Sequence, residues 1–145
     1  MRVAEILLQR GRKWQRREPA SDADVSLLLS QARAELPFEY LELLRFSNGG
    51  EGPLSLRPLW FQLYAINDCV NLCHSGWVLK EFPDLMFFGS NGGMESIAFD
   101  LHVGLPPWPI VTVDEIAGVS SAERIASDMA EFVEAIGIER GRLTR

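Results

Sequence analysis

The chain has 145 residues, 47% of them apolar, and a formal net charge of −6. That length suits one domain whose core needs no disulfide or metal staple. Residues 1–17 carry six Arg/Lys against one Glu, residues 18–139 five against nineteen Asp/Glu, and residues 140–145 three Arg, so the body is acidic enough to repel a nucleic acid and to steer a basic protein toward itself.

In chain order, Val3, Ile6, Leu7 and Trp14 can share one helical face, with Arg10, Arg12, Lys13, Arg16 and Arg17 around the rest. Residues 1–20 therefore read as a basic amphipathic helix or extension, ended by Glu18-Pro19-Ala20, and residues 21–145 as the domain proper. The apolar stretch near Met1 is short and broken by Glu5, unlike a secretory leader, and no run reaches the ~20 apolar residues of a membrane span. Only two cysteines occur, Cys69 and Cys73. A reducing cytoplasm is the expected location, with neither a membrane nor a nucleic acid as partner.

Ser21 followed by Asp24 predicts a capped second helix with Val25, Leu28, Leu29 and Ala32 on its apolar stripe. Pro37 suits the first turn of a third, short helix through Phe46, and Asn48-Gly49-Gly50 supplies the residues that stop it, Gly49 at positive φ. Leu54-Ser55-Leu56 and Leu59 to Tyr64 are predicted strands, with Pro58 at an edge or bend. Asn67 or Asp68 caps a middle helix through Cys69, Leu72, Cys73, Trp77 and Leu79, which Gly76 weakens and Pro83 stops. Leu85 to Phe88 and Ile97 to Phe99 then read as a β-hairpin around Gly89 to Gly93, with Gly93 at positive φ. A proline-rich loop, Gly104 to Pro109, leads into the strand Ile110 to Val113. Ser120-Ser121-Ala122-Glu123 reads as a capping box for a last helix bearing Ile125, Met129, Phe132, Val133 and Ile136, ended by Gly137. Helices first, strands in the centre and a helix last predict a single α+β domain, a mainly antiparallel central sheet covered by about four helices.

The chemistry-bearing residues form no recognisable constellation. Cys69 and Cys73 are four apart on a helix, a poor match to zinc spacing and to disulfide geometry, and are expected as core thiols. His74 or His102 could serve as a base beside Ser75 or Ser90, but no nucleophile elbow surrounds either serine. Neither glycine turn is followed by the Lys of a phosphate loop. Glu95 and Asp100, five apart on a strand, are expected on opposite faces, Glu95 at the sheet rim accepting amides of Asn91-Gly92-Gly93. No catalytic, metal or cofactor residue is assigned, and no cofactor is expected.

The order Leu36-Pro37-x-x-Tyr40-x-x-x-Leu44-x-x-x-Asn48-Gly49-Gly50, a middle helix running into Phe82-Pro83-Asp84-Leu85, and then Phe88-Gly89-Ser90-Asn91-Gly92-Gly93-x-Glu95-x-x-x-Phe99-Asp100 resembles the SUKH superfamily over roughly Asp22 to Gly137. That superfamily holds a fungal cell-wall-synthesis regulator (Smi/Knr type) and many bacterial immunity proteins that neutralise polymorphic toxins. The resemblance implies a Smi/Knr-like α+β fold. It also implies a non-catalytic antidote that binds a cognate toxin domain, such as a basic nuclease domain. Candidate contacts are the carboxylates Asp68, Glu81, Asp84, Asp114 and Glu115, placed in loops or at element ends, with Trp108 as an apolar anchor. The alternative is a regulatory scaffold binding another cellular protein. A small hydrolase is a third reading and lacks a convergent site.

Overall fold

Among the described residues, seven short strands follow one another in chain order across a single antiparallel sheet, because each pair is joined by a connection that returns the chain beside the strand it left. A computed structural model describes residues 2–139. The elements are α1 (Arg2–Leu7), β1 (Gln15–Arg16), α2 (Asp22–Gln31), α3 (Phe38–Phe46), β2 (Gly50–Pro53), β3 (Trp60–Leu63), α4 (Ile66–Cys73), α5 (Gly76–Glu81), β4 (Leu85–Ser90), β5 (Glu95–Asp100), β6 (Ile110–Asp114), β7 (Glu123–Ala126) and α6 (Met129–Ala135). The fold is α+β, and among the described residues no helix is long and apolar enough to cross a membrane.

Strand alternation sorts the core onto two faces. Met86 and Phe88 of β4, Ile97 and Phe99 of β5 and Ile110 of β6 join the main cluster with Tyr40, Leu43 and Leu44 of α3 and Phe132 and Val133 of α6. Leu85, Phe87, Ala98, Val111 and Val113 face the other way, onto Val78 of α5 and Phe82 just after it. Phe88 sits centrally, stacked on Phe99 at 4.4 Å and edge-on to Phe61 and Phe132 at 5.9 and 5.6 Å.

Local chemistry explains where the elements start. Ser21 and Asp24 form the expected capping box on α2, although Leu29, expected on the apolar stripe, is 52% exposed. Pro37 stands at the cap of α3 rather than inside its first turn. Asn48 leaves the helix and its Oδ1 accepts the Ile66 amide at 2.9 Å, so one end of the Asn-Gly-Gly turn caps α4. Gly49 and Gly50 hold φ of +105° and +115°.

Several expected elements are replaced. The first helix stops at Leu7, before a turn with Gly11 at φ +90°. Trp14 then packs on Phe61 at 5.7 Å beside the edge strand β1, which pairs with Glu51 and Gly50 of β2. Leu54-Ser55-Leu56 is not a strand of the sheet. The glycine-bearing segment 50–53 pairs with β3 instead, and Leu54 makes one isolated bridge to Ile136. The middle helix breaks at His74 and Ser75, where Ser75 Oγ accepts the Val78 amide and begins α5. In the hairpin turn it is Gly92, at φ +84°, that takes the left-handed backbone, and Gly93 does not.

The last helix starts later than expected. Residues 119–121 form a 3₁₀ turn, Ile125 belongs to β7, and the cap is Asp128, whose Oδ1 accepts the Glu131 amide at 2.9 Å. Asp128 is the stronger cap because a carboxylate also favours the positive end of the helix. Asp128→Ala is expected to lower stability by about 1 kcal/mol in a denaturant melt, whereas Ser120→Ala leaves the midpoint where it is.

Candidate partner-binding surface

The N-terminal cations are largely committed within the fold. Arg12 donates from one nitrogen to the carbonyls of Glu134 and Ile136, both at 2.8 Å, at the C-terminal end of α6, where a cation is favoured. Burial lowers its pKa, against the pull of Glu134. Arg16 lies over the Phe46 ring at 3.8 Å and donates to the Phe46 carbonyl at 2.9 Å.

Ser47, fully buried, organises the same region. Its Oγ accepts from Trp14 Nε1 at 3.2 Å and from the Arg17 amide at 2.9 Å, and donates to the Gly49 carbonyl at 2.6 Å. Sequence reasoning passed over it, because a lone Ser before Asn-Gly-Gly carries no pattern of its own.

Between β2, β3 and the start of α4 lies an open cleft of about 290 Å³, lined by Arg17, Asn48, Glu51, Gln62, Tyr64 and Asp68 among others. Asp68 is the one candidate contact found there. Its neighbour Glu51 accepts from Trp60 Nε1 at 2.9 Å. The cleft joins both signs of charge.

Tyr64 connects this cleft to a polar cluster on the sheet. Burial raises its pKa, against hydrogen bonds to Ser90 and Ser96. Ser96, wholly buried, donates from Oγ to Glu115, so this candidate carboxylate is drawn inward. Asp114 is also used: its Oδ1 accepts the amides of Ile116 and Ala117 at 2.8 and 3.0 Å, and its own amide donates to Ser121 Oγ. Asp114 thus builds the 115–122 turn, while Glu115 is tied to β5.

Glu95 and Asp100 lie on opposite faces. Thr112, buried, donates to Glu95 Oε2 at 3.4 Å on the face of Ile97. The turn amides expected to reach Glu95 go elsewhere, since Asn91 Oδ1 accepts from Gly93 at 2.8 Å and from Glu95 itself at 3.3 Å. Asn91 stands two and four residues before these amides, so its short side chain reaches forward to both across the turn.

Trp108 departs furthest from the expectation. It is 6% exposed, packs in the main core and donates from Nε1 to the Glu35 carbonyl at 2.7 Å. A proline-braced loop does bring it in from the surface, but onto this protein's own α2–α3 connection.

The thiols are free and buried. Tyr40 donates to Cys69 Sγ and Cys69 donates to the Phe87 carbonyl, each at 3.4 Å. The hydrogen bond between Cys69 and Cys73, together with burial, pushes the Cys69 thiol up, and that same bond lowers Cys73. His74 Nε2 lies 2.6 Å from Gln31 Oε1, and His102 Nδ1 lies 3.9 Å from Asp84.

What distinguishes one region is its charge. Residues 81–123 contain seven carboxylates, Glu81, Asp84, Glu95, Asp100, Asp114, Glu115 and Glu123, and neither Lys nor Arg. Met94, Val103, Leu105, Ile116 and Val119 of the same segment expose half or more of their surface. Exposed apolar side chains among carboxylates suit contact with a partner of opposite charge better than contact with water. Glu81 and Asp84 are exposed here, at the end of α5 and in the turn before β4.

No family model matches the chain, and no curated protein matches it.

Proposed function

We propose that this protein is a non-catalytic, cytoplasmic antidote of SUKH type that binds a basic toxin domain and blocks it. The observation that carries the reading is the 43-residue stretch from Glu81 to Glu123, which has seven carboxylates, no Lys or Arg, and exposed apolar side chains. A domain that acts on nucleic acid presents a basic surface to phosphate, and an acidic protein competes for that surface and approaches it under electrostatic steering. The two ordered Asn-Gly-Gly segments lend the family resemblance, and the committed serines, Ser47 and Ser96, favour architecture over nucleophilic chemistry.

The test is co-purification with the product of the neighbouring reading frame, followed by association kinetics at two ionic strengths. The on-rate is expected to fall at least about tenfold between low and physiological salt while dissociation changes little. Glu81→Gln is expected to reduce that salt dependence without altering the melt, because its carboxylate is exposed at a helix end. Binding that ignores salt, or a partner that is itself acidic, removes the antidote reading and leaves a scaffold.

A further inference from the structure

Beneath the loop that follows β5 the sheet has a groove of about 200 Å³. Leu85 and Val111 form its floor, Val119 and Ala122 one wall, and Asp84, Asp100 and His102 the other. Leu85 and Asp100 are direct cross-strand partners, so a carboxylate stands beside an apolar side chain on one face of the sheet. Asp100 is oriented by accepting the His102 amide at 2.9 Å, and the Asp84 carbonyl accepts the Leu101 amide at 2.8 Å, which ties the loop to the turn before β4. His102 is the cation-capable side chain that lines the groove; among the described residues no Lys or Arg lines it, and the nearby Arg124, cross-strand partner of Val111, stays outside the lining.

We infer that this groove receives one long cationic side chain, arginine or lysine, from a basic polypeptide partner. The inference rests on the antidote reading for the partner's identity and adds the place and chemistry of contact. A side chain of this kind lays its methylene stem on apolar surface and keeps its charged head with carboxylates or water. The groove matches that division, with Leu85, Val111 and Val119 for the stem and Asp84 and Asp100 for the head. An apolar side chain would leave the carboxylates unpaired, and an acidic one would meet them. The Asp68 cleft is less suited, because Arg17 already supplies a positive charge to it.

The probe is the blocked tripeptide Ac-Gly-Arg-Gly-NH₂, titrated into the full chain and followed by methyl and amide NMR. Its control is the same peptide with citrulline, which keeps the shape and loses the charge. Shifts are expected at Leu85, Val111, Val119 and Ala122, with affinity about two- to fivefold weaker for citrulline or for the Asp84→Asn protein, the size of a lost exposed ion pair. Equal response to the two peptides, or shifts confined to the residues around Asp68, overturns the proposal. Val119→Arg, which places a cation on the wall of the groove, should abolish the response while the melt stays put, because Val119 is 52% exposed; an unchanged response would also overturn it. Failure of the neighbouring gene product to bind would remove the antidote reading and leave the peptide result standing, so the two fail separately.

Discussion

Gly50→Val is expected to lower stability by about 3 kcal/mol or more, enough to detach the N-terminal strand. Two independent costs coincide at this residue. Its φ of +115° lies where a β-branched side chain is strained. A Cβ built there would stand 2.6 Å from the Gln15 carbonyl oxygen and 3.0 Å from both Ser47 Oγ and a Trp14 ring carbon. The first of those atoms is backbone and cannot rotate away. Gln15 belongs to β1, which Arg16 pairs directly with Gly50, so relief of the clash requires the edge strand to leave. Gly93→Val is the contrast. Gly93 has an ordinary φ, and the atom nearest its added Cβ is Asn91 Oδ1 at 3.4 Å. Its melt should shift by less than about 1 kcal/mol. Parallel thermal melts decide the matter: a Gly50→Val protein that unfolds with the parent would show that the β1 contact contributes little.

This pair of glycines illustrates which parts of the fold can be read from residues in a row. An Asn-Gly-Gly run marks a reversal, and both reversals are present. Which glycine takes positive φ depends on what the neighbouring atoms need. In the first turn Asn48 is engaged with the Ile66 amide and both following glycines turn left-handed; in the second Asn91 holds the Gly93 and Glu95 amides, which leaves the left-handed backbone to Gly92. The Leu85–Asp100 hairpin was legible because two apolar runs, Leu85 to Phe88 and Ile97 to Phe99, flank a glycine-bearing turn. The edge strands β1 and β7 were not, since a two-residue Gln-Arg pair and the sequence Glu-Arg-Ile-Ala have no periodicity and take their strand state from a neighbour already in place. The candidate site divides in the same way. Acidity summed over a segment is a sequence property, and it points to the region holding the groove. Which carboxylates stay available is decided by tertiary partners: the buried Ser96 claims Glu115 and the 115–122 turn claims Asp114, while Asp84 keeps its carboxylate exposed.

Trp108→Ala provides the second large effect and separates packing from recognition. An exposed anchor would leave the melt unchanged on truncation and would speed release of a partner. A side chain with 6% of its surface exposed, packed in the main cluster, leaves a cavity instead, with an expected loss of about 3–4 kcal/mol. The indole N–H adds to this. It donates at 2.7 Å to the Glu35 carbonyl, fastening the loop before β6 to the connection between α2 and α3. Trp108→Phe retains most of the apolar contact and removes only that donor, so it should cost about 1–2 kcal/mol. The ordering Ala, then Phe, then parent in denaturant midpoint is the expected result. Equal midpoints for all three proteins would return Trp108 to the surface as a contact residue. If the ordering holds, the partner must find its apolar contacts in side chains that reach solvent, with Val119 and Ile116, 52% and 79% exposed beside the acidic groove and its flanking turn, the next to truncate.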